Sequence, residues 1–151
     1  MEQRHKIEEL VYRSWLALDD RDFKAFLELC DPGFRYKVTA YSPEIRKDLT
    51  WLDHDKAGME TLFTQLPRHN SDHAPLARHA TVYTIKVDGG AAEVVSALQV
   101  FRTALDGGAT ELYAVARLID TVKLDGDVPR LTHRHVRMET RQLGYGTHVP
   151  I

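Results

Sequence analysis

The chain has a single cysteine, Cys30, among 151 residues, so no internal disulfide can staple it. That usage fits a reducing compartment, and a cytoplasmic protein is the expectation. Long apolar runs are missing too, so no stretch can span a bilayer. The opening Met1-Glu2-Gln3-Arg4-His5-Lys6 is charged and lacks the apolar core of a signal peptide. Neither sign of charge dominates: 20 basic and 22 acidic residues give a net −2. They are interspersed, and without a basic stripe a nucleic-acid partner is not expected. Glycine (9) and proline (6) are too sparse for a linker or a low-complexity segment. No Gly-rich phosphate loop, Walker pattern or nucleophile elbow occurs.

What is present reads as one domain over residues 1–151. A chain of that size buries roughly 70% of its unfolded surface and needs no metal staple. Ile7, Leu10, Val11, Trp15 and Leu18 recur at helical spacing from Glu2 to Leu18. After Asp19-Asp20-Arg21-Asp22, the residues Phe23, Phe26, Leu27 and Cys30 predict a short second helix. Asp31-Pro32-Gly33 predicts a turn. Phe34, Tyr36, Val38 and Ala40 alternate as in a strand, ended by Ser42-Pro43, and Leu49 to Leu52 predicts a short extended piece. Asp55 is placed to cap a third helix with Met59, Leu62, Phe63 and Leu66 on one face. Pro67 to Pro75 reads as a polar loop, and Gly144 to Ile151 as an irregular tail.

From Leu76 to Leu143 four strand-forming runs follow, separated at Asp88-Gly89-Gly90, Asp106-Gly107-Gly108 and Asp125-Gly126-Asp127. Asp-Gly supplies the positive φ that hairpin turns need. Leu112, Ala114, Ala116, Leu118 and Val122 form the clearest apolar face. Ala92, Val94, Leu98 and Val100 oppose Val95, Phe101 and Leu105, so both faces of that region are apolar. An outer face of that kind implies a cover, such as another subunit. Helices first and a meander second predict an α+β cone-shaped roll, its long sheet curled around the helices.

Chemistry has few footholds. His133-x-His135-x-x-x-Glu139 places three metal-ligating types on one strand face. The spacing resembles the first cupin motif, including Gly146, but Gly126 is one position off and the second motif has no room. Arg137 between them repels a cation and can pair with Glu139. His69 and His73 have the spacing of a helical zinc pair, in a stretch whose prolines oppose a helix. Tyr36, Trp51, Asp53, His54 and His79 form the alternative set. Lining a cone, they could run acid–base chemistry. Trp51 reads more readily as a packing residue, with Asp53 or Asp55 as a helix cap. Cys30 ends an apolar stripe and reads as a buried inert thiol.

The segment Tyr41-Ser42-Pro43-Glu44-Ile45-Arg46-Lys47-Asp48-Leu49-Thr50-Trp51-Leu52-Asp53 resembles the stretch after the first strand in small (beta) subunits of ring-hydroxylating dioxygenases. Asp22-Phe23-Lys24-Ala25-Phe26-Leu27 and the closing strand Leu131-Thr132-His133-Arg134-His135-Val136-Arg137-Met138-Glu139-Thr140 are similar to that family as well. The resemblance implies an NTF2-like, or SnoaL-like, cone. It implies a homotrimer of these chains under three large (alpha) subunits, an α3β3 assembly that oxidises aromatic or small sulfonated compounds. The large subunit would carry a Rieske 2Fe-2S cluster and a mononuclear iron, fed by NADH-derived electrons. This chain has no Cys-x-His with a partnering Cys-x-x-His and would hold no cofactor and no catalytic residue. The competing expectation is a free-standing NTF2-like dehydratase, isomerase or cyclase. It would use Tyr36, Asp53, His54 and His79 in an open cone of roughly 300 Å³ or more.

Overall fold

A computed structural model of the chain describes residues 1–66, 73–143 and 150–151. Helix α1 (Glu2–Asp19) buries Ile7, Leu10, Val11, Ser14, Trp15 and Leu18 along one stripe. Its solvent side carries the i,i+4 pairs Glu2–Lys6, Arg4–Glu8 and Glu9–Arg13. The helix ends on Arg21, held at φ 54°. The Arg21 N–H donates to the Leu18 carbonyl (3.1 Å) and the Asp22 N–H to that of Ala17 (2.8 Å). This is a Schellman closure with arginine where glycine is usual. Asp22 then caps α2 (Phe23–Glu28), its carboxylate accepting from the Ala25 N–H. Asp55 caps α3 (Lys56–Gln65) in the same manner, accepting from the Gly58 N–H at 2.8 Å.

The strands are β1 (Cys30–Ser42), β2 (Lys47–Asp55), β3 (Leu76–Asp88), β4 (Ala91–Thr103), β5 (Thr110–Lys123) and β6 (Arg130–Met138). They form one sheet in the order β2-β1-β6-β5-β4-β3. β3 to β6 are the expected meander, turned at Gly89 (φ 60°) and Gly107 (φ 76°). β6 then lies parallel to β1, and β2 closes the far edge as an antiparallel partner of β1. The helices fill the concave side, where Ile7, Val11, Leu18, Phe26 and Met59 meet Phe34, Val38, Leu98 and Leu118. Rings lock the helices together: Phe23 stacks on Phe63 at 4.3 Å, and Phe26 meets Phe34 and Phe63 edge-on.

Four sequence expectations are corrected. Asp31-Pro32-Gly33 does not separate two elements; it is an irregularity inside β1, where pairing with β6 is interrupted. Proline cannot donate to the ladder, and the Gly33 N–H turns to the Asp31 carboxylate at 2.9 Å. Leu49 to Leu52 is the middle of a nine-residue strand, β2, whose exposure as an edge removes the apolar alternation that marks strands. Leu112 leaves the apolar face of β5. Val100 pairs with Ala114 but Phe101 with Leu112, so Tyr113 is an extra residue and Leu112 swings outward, 54% exposed. Leu105 lies past the end of β4, exposed in the turn.

Candidate functional site

The concave face carries charge where an apolar core is expected. On β5 the buried run Ala114, Ala116, Leu118 and Val122 is interrupted by Asp120. Directly opposite on β6 stands Arg134, its register partner. The guanidinium grips the carboxylate with two hydrogen bonds, Nε to Oδ1 at 2.8 Å and Nη2 to Oδ2 at 3.0 Å. Both side chains are 0% exposed. Nη2 also donates to Ser14 Oγ (2.7 Å), which itself donates to the Val11 carbonyl. The guanidinium lies 5.1 Å from the Trp15 ring centroid. Burial is the largest influence on Arg134 and lowers its pKa, but the charge and the hydrogen bonds of Asp120, joined by Cys30 and Tyr36, together turn the net direction upward. Sealed and doubly hydrogen-bonded, Asp120 is a structural counter-ion and is unavailable as a general base.

Tyr36 shares this interior. Its hydroxyl accepts from the Ile151 N–H at 3.0 Å, and burial pushes its pKa up to about 12. It keeps its proton at any physiological pH. Cys30 is sealed as well: its thiol donates to the Phe26 carbonyl, and burial pushes it up to about 12, far from a reactive thiolate. Among the described residues, these side chains occupy the interior.

The alternative set does not converge. His54 pairs with Tyr36 across β1 and β2, yet its ring lies against the start of α3 beside Gly58. Trp51 is half-buried at an irregularity of β2. Asp53 faces outward and pairs with Arg35 at 3.0 Å. His79 is on β3, at the other edge of the sheet, exposed and 4.9 Å from the Phe101 ring.

His133, His135 and Arg137 do share the outer face of β6, with Glu139 just beyond it. Among the described residues, no three His, Cys, Asp or Glu side chains gather to hold a metal ion. His135 Nε2 is instead hydrogen-bonded to Thr39 Oγ1 at 2.8 Å. Its pKa is lowered, first by partial burial and then by the charges of Lys37 and Arg137, surroundings that disfavour a cation. His69 and Gly146 lie outside the described residues, so neither the His69–His73 pair nor the cupin-like glycine is placed. Among the described residues, no helix is long and apolar enough to cross a membrane.

The outer face is open and mixed. A trough of about 350 Å³ is lined by His79, Thr81, Tyr83, Gln99, Arg117 and Glu139. A second of about 270 Å³ beside it shares Arg117 and Glu139 and adds Tyr41 and Arg137. Arg117 lies over the Tyr83 ring at 5.6 Å. Val95, Ala97, Phe101 and Ile119 stand half-buried around it. Exposed aromatics and arginines around an apolar patch are the composition of protein–protein interfaces.

The Arg134–Asp120 pair escaped the sequence reading. Its signal was a charge breaking the apolar period on each of two strands, which becomes a pair only once their register is known. Residues 1–135 match the family model described as the SnoaL-like domain. The chain is 38% identical to the methanesulfonate monooxygenase hydroxylase subunit beta of Methylosulfonomonas methylovora, over 96% of this chain and 85% of the relative. It is 31% identical to the 2-aminobenzenesulfonate 2,3-dioxygenase subunit beta of an Alcaligenes species, over 96% and 97%. Among solved structures, one from Novosphingobium aromaticivorans, assigned as the beta subunit of an aromatic-ring-hydroxylating dioxygenase, superposes with a TM-score of 0.84. That match has 21% identity and covers 97% of this chain and 95% of the other.

Proposed function

This chain belongs to the SnoaL-like family and to the beta subunits of ring-hydroxylating and sulfonate oxygenases, and we propose that it is the assembly subunit, not the catalytic one. It is a component of an oxidoreductase complex. The observation that carries the non-catalytic reading is the sealed Arg134–Asp120 pair. It fills the place where a free-standing dehydratase, isomerase or cyclase needs a substrate and a free base. Tyr36, held near 12, and the outward Asp53 count against that rival reading, as does the distance of His79 across the sheet.

In this reading residues 1–151 act as one domain. The outer sheet face, with Tyr41, Tyr83, Arg117 and Arg137, is a contact surface in a cytoplasmic α3β3 complex. The large subunit carries a Rieske 2Fe-2S cluster and a mononuclear iron and binds the substrate. A sulfonate is the preferred class, because the names of both curated relatives carry one. The test is light scattering on the chain alone and with its large subunit, followed by an oxygenase assay. The expected results are a homotrimer, capture into a hetero-hexamer, and turnover of methanesulfonate or 2-aminobenzenesulfonate by the complex alone. A monomer that ignores the large subunit, or activity in the isolated chain, would overturn it.

A further inference from the structure

Arg134 and Arg78 are both buried, and they are served differently. Arg134 has a sealed carboxylate of its own. Arg78, on β3, has a side chain only 1% exposed, yet its counter-ion Asp19 is 26% exposed at the end of α1. Arg78 Nη1 donates to Asp19 Oδ1 at 2.8 Å, and its backbone N–H points at the same carboxylate. Nη2 donates to the Pro150 carbonyl. Nε has no hydrogen-bond partner among the described residues. Burial pulls the Arg78 pKa down while Asp19 opposes it, so this is a charge only partly compensated.

The same short segment meets Tyr36 one residue later. Ile151 donates its N–H to the Tyr36 hydroxyl and lodges its side chain in the core, 4% exposed. Pro150–Ile151 thus offers an acceptor to a guanidinium, a donor to a phenol and a branched apolar group to a pocket. Those are the features of a small bound molecule. The fit is incomplete on one side. A single carbonyl oxygen satisfies Nη2 and leaves Nε bare, whereas a carboxylate would take Nη2 and Nε together. Trp15 Nε1 and Arg134 Nη1 are also buried donors with no partner among the described residues, as is the Ser96 hydroxyl.

We infer that Pro150–Ile151 is an internal pseudo-ligand, and that Arg78 and Tyr36 form a binding site for a small carboxylic acid with a short branched apolar chain. The acid competes with the segment. Its carboxylate lies along the Nη2–Nε edge of Arg78, the Tyr36 hydroxyl turns to donate to it, and its alkyl chain takes the place of the Ile151 side chain. This inference stands on the interior of the chain and is independent of what covers the outer face.

The test uses the full chain with Ile151→Gly, which empties the apolar position, titrated calorimetrically with 4-methylpentanoate and with its neutral isostere 4-methylpentanamide. The acid should bind Ile151→Gly about tenfold or more tighter than the parent chain, and about tenfold tighter than the amide does. Adding Arg78→Gln should remove both differences. Equal binding of acid and amide, or no effect of Arg78→Gln, would reduce the site to an apolar hole and overturn the inference. A second measurement needs no variant. In the parent chain the Ile151 amide should exchange with solvent faster than that of Leu118, and faster still with the acid present. An Ile151 amide as protected as Leu118 and indifferent to the acid would show that the segment leaves only on global unfolding, and the inference would fail.

Discussion

Neighbouring residues of β6 meet opposite surroundings. Arg134 is shut inside the cone against Asp120, while His133, His135 and Arg137 stand on the outer face among Thr39, Lys37 and Arg117. Both faces carry positive charge. Inside, the dielectric is low and every charge must be matched, so geometry is rigid and the pair is structural. Outside, water screens the charges and none of these side chains needs a partner in the same chain. A chain built to assemble can place its rigid charge within and its adaptable charge on the surface. The comparison teaches that the location of a charge, more than its presence, decides whether it must be matched within the chain.

The largest effect should come from breaking the inner pair. Asp120→Asn leaves the Arg134 charge buried without a counter-ion and should cost about 3–5 kcal/mol in urea unfolding. The double change Asp120→Leu with Arg134→Met should recover most of that loss. If Asp120→Asn unfolds at the parental midpoint, the interior is not under the constraint described. On the outer face the pattern should invert. Arg117→Glu should move the unfolding free energy by less than about 0.5 kcal/mol. It should weaken capture by the large subunit about tenfold or more, read by calorimetry. A large stability change with unaltered capture would show the outer face to be structural after all.

Tyr36→Phe tests the interior more gently. It leaves the Ile151 N–H without its acceptor, and the expected cost is about 1–3 kcal/mol in thermal unfolding. His135 sharpens the contrast by pH. Its folded-state pKa lies below the ordinary imidazole value of 6.5, lowered by partial burial, Lys37 and Arg137. Below 6.5 the unfolded chain therefore takes up the proton first, and stability falls as pH drops through the folded pKa; above 6.5 the contribution is complete. His135→Gln should flatten that part of the pH profile of the melting midpoint. An unchanged profile would assign the slope to other groups. The smallest effect is local: Arg21→Gly relieves the positive φ at the end of α1 and should stabilise by about 0.5–1 kcal/mol.

Much of this molecule can be read locally. The α1 stripe, the Asp22 and Asp55 caps and the Asp-Gly turns at Gly89 and Gly107 depend on residues a few positions apart, and the structure has them where the pattern puts them, whereas Gly126 does not take up a positive φ. The failures share a cause. β2 is legible only in its middle, at Leu49 to Leu52, because an exposed edge strand has no buried face to imprint an alternation. Leu112 misleads because one extra residue at Tyr113 reverses every side chain beyond it on that strand. The set Tyr36, Asp53, His54 and His79 looked coherent because those residue types suit acid–base work. Strand parity sends Asp53 out and Tyr36 in, and the sheet order carries His79 to the opposite edge.

By itself the sequence determined the element types, the helix caps, the α+β class and the resemblance to oxygenase small subunits, since each rests on short-range periodicity or on the residues themselves. Only the tertiary structure decided that β6 lies parallel to β1, that Arg134 meets Asp120, and that Arg78 and Tyr36 close on Pro150–Ile151. Those contacts join residues far apart in the chain. Their partners are chosen by register and by the need to satisfy charges and hydrogen bonds removed from water, and neither is written in any local stretch.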